Sequence, residues 1–166
     1  VINNVSIRPA FYDDESAIVE IMNHGIEEET NAYVKPFDWV QGSNWFSSLR
    51  ENATALVVAE INNQIVGWGG LSNYRGGREA LSSTKEITFY VHHDFRRMGA
   101  ASKLILNLEE TAMDLNAKHL VAILLDDNEG SRALLEKHQY FVWGLFEAIA
   151  EFESGPKGHL YMGKHL

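Results

Sequence analysis

Two places in the 166-residue sequence hold residues of a type and spacing that could do chemistry. The first is Arg96-Arg97-Met98-Gly99-Ala100-Ala101, in which two cations precede a run of residues too small to pack or reach. An apolar segment leads into it and an amphipathic one follows. The first turn of a helix leaves N–H groups without partners, and its dipole favours negative charge. Small side chains let an anion approach those groups, and arginines add charge and directed donors. The six residues read as a cradle for a phosphate or pyrophosphate. A plain loop-to-helix turn packed with small residues is the alternative.

The second is Glu86, within Lys85-Glu-Ile-Thr-Phe-Tyr-Val-His92. Strand alternation puts Glu86, Thr88 and Tyr90 on one face and Ile87, Phe89 and Val91 on the other. A carboxylate on a central strand is costly unless it is paired or useful. Glu86 is therefore either a general base or half of a salt bridge with Lys85, Arg75 or Arg78. Asn128-x-x-Ser131 offers a helix-capping amide. His92-His93-Asp94 hints at metal, but adjacent histidines on a strand point to opposite faces, so no metal site is expected. His24, near a helix end, reads as a capping or dipole residue.

The elements that must position these residues alternate along the chain. Val5 to Arg8 reads as a strand stopped by Pro9, followed by a helix capped by Asp13 or Asp14 and ended at Gly25. Glu27 to Asn31 reads as a polar continuation or loop, with Glu28 and Glu29 a solvated acidic run rather than partners for an ammonium group. A helix over Trp39 to Leu49 is weakened by Gly42, and Trp39, Trp45 and Trp68 read as core or pocket wall. Thr54 to Glu60 and Gln64 to Leu71 form a hairpin about Asn62-Asn63. Asn73 to Ser83 is a surface loop, and Lys85 to His92 the next strand. Leu104, Ile105, Leu108, Ala112 and Leu115 form one apolar stripe of a helix that Asn116 stops. Leu120 to Leu125 is uniformly apolar, as a strand buried on both faces should be. Ser131 to His138 is a short helix. Two aromatic-rich strands, about Phe141 to Glu153 and His159 to His165, close the chain. The expectation is one mixed α/β domain over residues 1–166, antiparallel in front, with a central strand–helix–strand crossover.

Composition narrows the function. Fourteen basic against 23 acidic residues leave a net charge of −9, which argues against general nucleic-acid or anionic-membrane binding. Without cysteine there is no disulfide, thiol catalysis or Cys-rich zinc site. No apolar run approaches the ~20 residues of a membrane span. Val1 to Ile7 does not read as a signal peptide, so a cytoplasmic protein is expected.

At this point the residues resemble a family. Arg96-Arg-Met-Gly-Ala-Ala101 is similar to the Arg/Gln-x-x-Gly-x-Gly/Ala signature of the GNAT acyltransferases, which bind acetyl-CoA. Ile7-Arg-Pro-Ala10, Asn23-His24, Thr30-x-Ala32 and Glu86-x-Thr-x-Tyr-Val91 extend the resemblance to the phosphinothricin acetyltransferase-like branch. The resemblance implies that strands 85–92 and 120–125 splay apart around pantetheine, held by Phe89, Tyr90 and Val91. The pyrophosphate falls to Arg96, Arg97, Met98, Gly99, Ala100 and Ala101, and the pantetheine arm also to Asn128 and Ser131. Glu86 becomes the base, a backbone N–H near Val91 the oxyanion donor, and Arg75, Arg78, Lys85 and Ile87 the substrate side. The implied reaction is acetyl transfer from acetyl-CoA, with no metal, to a primary amine of a small molecule. An amino acid or analogue of the phosphinothricin or methionine sulfoximine type is expected. A non-catalytic acyl-CoA sensor and an enzyme acting on peptide N-termini stay open.

The chain also departs from that pattern. Leu135 stands where many relatives carry a tyrosine acid. Gln139 replaces the usual glycine before Tyr140, which reads as core. The last hairpin reads Gly158-His-Leu-Tyr-Met162 rather than Gly-Arg-Trp-x-Asp. That hairpin shapes the acceptor pocket, and in the family it often forms the contact of a homodimer.

Overall fold

A computed structural model describes residues 4–166, in which four helices and seven strands alternate. The expectations that rest on Val1, Ile2 and Asn3 fall outside it. The strands form one sheet in the order β1-β2-β3-β4-β5-β7-β6. Their ranges are Ser6–Pro9, Ala53–Ile61, Gln64–Asn73, Thr84–Val91, His119–Leu125, Phe141–Phe152 and Gly155–His165 for β1 to β7. All neighbours are antiparallel except β4 and β5, which a helix over Ala100–Asp114 joins as a crossover. β1 ends at Pro9 as expected, with the proline itself as the last ladder residue, opposite Val57; the sheet edge tolerates a residue with no N–H. Asn62 and Asn63 both adopt positive φ, 51° and 63°, as a two-residue hairpin of this hand requires.

Helices α1 (Glu15–Glu27) and α2 (Trp39–Asn52) cover one face of the sheet, and α3 (Ala100–Asp114) covers the other. The α3 stripe is buried at Leu104, Ile105, Leu108 and Ala112, whereas Leu115 lies past the last turn and is exposed. Asn116 takes the expected left-handed conformation, φ 58°. Gly25 does not end α1. It sits inside the helix, where a Cβ would meet Thr30 Oγ1 at 3.1 Å and Tyr90 Cδ1 at 3.3 Å, so its small size lets α1 approach β4. Gly42 likewise lies within α2, against Val19. Asp38 and Gln41 form the capping box that starts α2. Trp68 is fully buried and Trp45 packs edge-on against it, but Trp39 opens α2 and is 81% exposed. A short α4 (Glu129–Lys137) follows β5. Among the described residues, no helix is long and apolar enough to cross a membrane.

Candidate active site

The site arises where the one parallel pair comes apart. β4 pairs with β3 along its whole length, to Val91 opposite Gly67. It pairs with β5 only at Thr84–His119, Lys85–Leu120 and Glu86–Val121. Past Glu86 the two strands diverge, while β5 stays fully paired on its far side with β7. The wedge is a cleft of about 800 Å³, walled by β4, β5, α1 and the first turns of α3 and α4. His92 N–H bonds Val66 O at 2.8 Å, so alternation turns the main-chain groups of Phe89 and Val91 to the cleft edge. Tyr90 turns its main chain toward β3 and lays its ring on Trp68, centroids 5.1 Å apart.

At the outer end of the wedge the chain enters α3 through two left-handed residues, Arg97 (φ 62°) and Gly99 (φ 88°). Gly99 is the N-cap of α3, and no side chain caps the helix. A Cβ on Gly99 would meet nothing within 4 Å, so the approach to the first-turn N–H groups is open. Arg96, Arg97, Gly99, Ala100 and Ala101 border the cleft, and exposed Met98 does not. Arg96 is engaged by the Glu28 carboxylate at the end of α1. Asn128 borders the cleft while its Oδ1 accepts Ser131 N–H at 3.1 Å, capping α4. Ser102 Oγ and His138 Nε2, 2.9 Å apart, tie α4 to the start of α3.

At the inner end lies Glu86, on the cleft wall. Its carboxylate has no hydrogen-bond or salt-bridge partner among the described residues, and burial pushes its pKa above the ordinary carboxylate value. The salt-bridge alternative fails residue by residue. Lys85 is buried and donates to Asn73 Oδ1, its cross-strand neighbour. Arg78 donates to Gly76 O on an exposed loop. Arg75 is exposed on the same loop, at φ 48°. The Glu86 charge acts on two tyrosines, Tyr90 and Tyr161. Burial, then Tyr33 and Glu86, pushes up the Tyr90 hydroxyl. Burial, then Tyr74 and Glu86, pushes up that of Tyr161, with Arg75 opposing.

Residues 18–140 match the acetyltransferase (GNAT) family. The chain belongs to that family. It is thereby an acetyl-CoA-dependent N-acetyltransferase. Phosphinothricin N-acetyltransferase of Streptomyces viridochromogenes is 30% identical over 91% of this chain and 82% of its own length. The L-amino acid N-acyltransferase MnaT of Escherichia coli (strain K12) is 29% identical, over 81% of this chain and 77% of its own. The fold matches that of an N-acetyltransferase from Staphylococcus aureus Mu50 with a TM-score of 0.89, at 26% identity, covering 98% of each chain.

Within this GNAT fold, the expected donor-site residues converge on the cleft, apart from Met98. The expected substrate side converges less. Ile87 is a buried wall residue, but Lys85, Arg75 and Arg78 are not among the lining residues. Lys85 follows the strand pleat away from Glu86, and the two arginines ride the exposed loop between β3 and β4. Leu135 is buried in the wall.

Sequence reading also missed parts of the site. Tyr33, Asn31 and His159 line the cleft from a loop and from the last hairpin, segments without periodicity that could have announced them. Glu28 and Glu29 are not a free solvated run. Lys157 Nζ lies 2.8 Å from Glu29 Oε2 and 2.9 Å from Asp127 Oδ2, which fastens the end of α1 to the hairpin. The histidines were misplaced as well. β4 ends at Val91, so His92 and His93 sit in a 3-10 turn, where their rings stack at 4.6 Å instead of diverging. His24 packs against both.

Proposed function

We propose that this GNAT enzyme acetylates the primary amine of a small, amino-acid-like substrate, with Glu86 as general base. One observation carries this reading. Glu86 is an unpaired carboxylate, raised by burial, at the point where β4 leaves β5.

The cleft fits acetyl-CoA. An unpaired strand edge, an uncapped helix start beside two arginines and an open Gly99 are what a pantetheine amide chain and a diphosphate require. Bound there, acetyl-CoA supplies a thioester carbonyl open to a neutral amine. Main-chain groups of Phe89 and Val91 bond the amide chain, with the Asn128 side chain beside them. N–H groups of Arg97 to Ala101 hold the diphosphate, and the Arg96 and Arg97 side chains neutralise it.

An ammonium group has no lone pair, so the substrate must lose a proton before attack. Glu86 takes it at a carboxylate oxygen, directly or through one water, and its raised pKa brings it nearer the amine it serves. The Val91 N–H, on the cleft edge, is the candidate oxyanion donor. A thiol with pKa ~8.5 leaves readily without a dedicated acid, consistent with leucine at position 135. Arg75, whose charge is felt at Tyr161, is the candidate partner for a substrate carboxylate. The names of the Streptomyces and Escherichia relatives support this substrate class.

The test is a panel of amines with acetyl-CoA, read by thiol release. Turnover is expected with free amino acids, phosphinothricin or methionine sulfoximine. Turnover confined to peptide N-termini, or absent throughout, overturns the reading. The long edge strand β6 exposes Phe141, Trp143, Leu145, Phe146 and Ile149, and we assign this apolar edge to a second copy of the chain.

A further inference from the structure

The three histidines beside the cleft are not used by the reaction. His24 lies on α1, His92 caps the turn after β4, and His93 opens that turn. Their ring centroids lie 4.4 to 4.6 Å apart in all three pairs. One nitrogen from each lies within 4.8 Å of the other two. His24 Nδ1 is buried with no hydrogen-bond partner among the described residues. A buried nitrogen without a partner is unfavourable. The surroundings are acidic. Asp94 Oδ1 lies 3.3 Å from His93 Nε2, Asp94 Oδ2 lies 3.9 Å from His92 Nδ1, and the Glu20 carboxylate acts on His92 from α1.

We infer that His24, His92 and His93 form a binding site for a zinc-type divalent cation. Three imidazoles suit a borderline-soft ion, and carboxylates beside ligating histidines orient the rings and add negative charge. Zinc bonds of ~2.0–2.1 Å put ligand nitrogens roughly 3.3–3.4 Å apart, so the rings must close by about 1.5 Å or less. His93 is exposed, and the His92 Nδ1 contact with Asp94 N–H, 3.2 Å, yields if that nitrogen becomes the ligand. An open coordination position remains for water. The ion would staple α1 to the turn between β4 and the diphosphate cradle.

The test uses the full chain without a polyhistidine tag, stripped by chelator, with Zn²⁺ titrated calorimetrically and melting followed in parallel. One equivalent should bind saturably and raise the melting temperature. His93→Ala, an exposed change that leaves the core intact, should weaken Zn²⁺ at least about tenfold, and His24→Ala likewise. His119→Ala, in the separate pair with His165, should leave binding unchanged. No saturable binding to the stripped chain overturns the proposal. So does binding that survives in the His24→Ala, His93→Ala double variant, or that follows His119 instead.

Discussion

The Glu28 carboxylate accepts a hydrogen bond from Arg96 Nη2, linking the end of α1 to the loop that opens α3. Arg96 borders the diphosphate end of the cleft, so the two anions compete for one guanidinium. The pair is half-exposed, and such pairs contribute at most about 1 kcal/mol. Glu28→Gln should therefore tighten acetyl-CoA binding by roughly two- to fivefold at low salt, less at high salt. Calorimetry at two ionic strengths measures it, and weaker binding would refute the competition.

Glu86→Gln separates catalysis from stability. Turnover at neutral pH should fall about 10²-fold or more, with acetyl-CoA affinity nearly unchanged. In the wild type, the acid limb of kcat/KM should lie above the ordinary carboxylate value, because burial raises this group. Stability should move the other way. A carboxyl whose folded pKa exceeds its unfolded one destabilises the fold once ionised, above the folded pKa, and costs nothing below the unfolded one. The glutamine variant should thus melt higher than wild type at pH 7 and lose that advantage near pH 4. An unaltered rate would remove Glu86 from the mechanism.

Gly99→Ala tests the cradle. At φ 88° any side chain is strained, by about 1–2 kcal/mol for the left-handed region. The added methyl also enters the open approach to the first turn of α3. Thermal melting should show the loss of stability, and calorimetry a several-fold weaker affinity for coenzyme A. Wild-type affinity in a folded variant would show that the diphosphate does not approach there.

Arg8 and Asp14 hold the entry to α1. Arg8 Nη1 lies 2.7 Å from Asp14 Oδ2, Nη2 lies 2.9 Å from Oδ1, and Phe11 N–H adds a bond of 2.7 Å. The Arg8 guanidinium holds the Asp14 carboxyl below its ordinary value. A depressed carboxyl contributes stability above its unfolded pKa that is lost as pH falls through the folded one. Because Arg8 keeps its second partner, Glu60, Asp14→Asn should cost about 1–2 kcal/mol at pH 7, and the gap from wild type should close in strong acid. Denaturant titrations at several pH values follow it.

Phe146→Glu, on the exposed edge strand β6, should convert a dimer to a folded monomer, read by light scattering with circular dichroism in parallel. A wild-type monomer at micromolar concentration would sink the assignment of that edge.

Local pattern alone determined much of this protein. The small-residue run 96–101, the 3.6-residue stripe of α3, the paired asparagines and the alternation that isolates Glu86 are all relations between residues a few positions apart. Backbone geometry enforces such relations wherever the chain goes, so they survive without knowledge of the fold. The family resemblance rests on the same short motifs. Tertiary structure decided the rest. Glu28 meets Arg96 across 68 residues, His24 meets His92 and His93, and Tyr161 from the last hairpin reaches the surroundings of Glu86. Which element packs on which, and that β4 and β5 part after three residue pairs, are set by the whole sheet and its covering helices. No local period encodes them, because side chains so far apart in sequence become neighbours only when the intervening chain has closed around a common core.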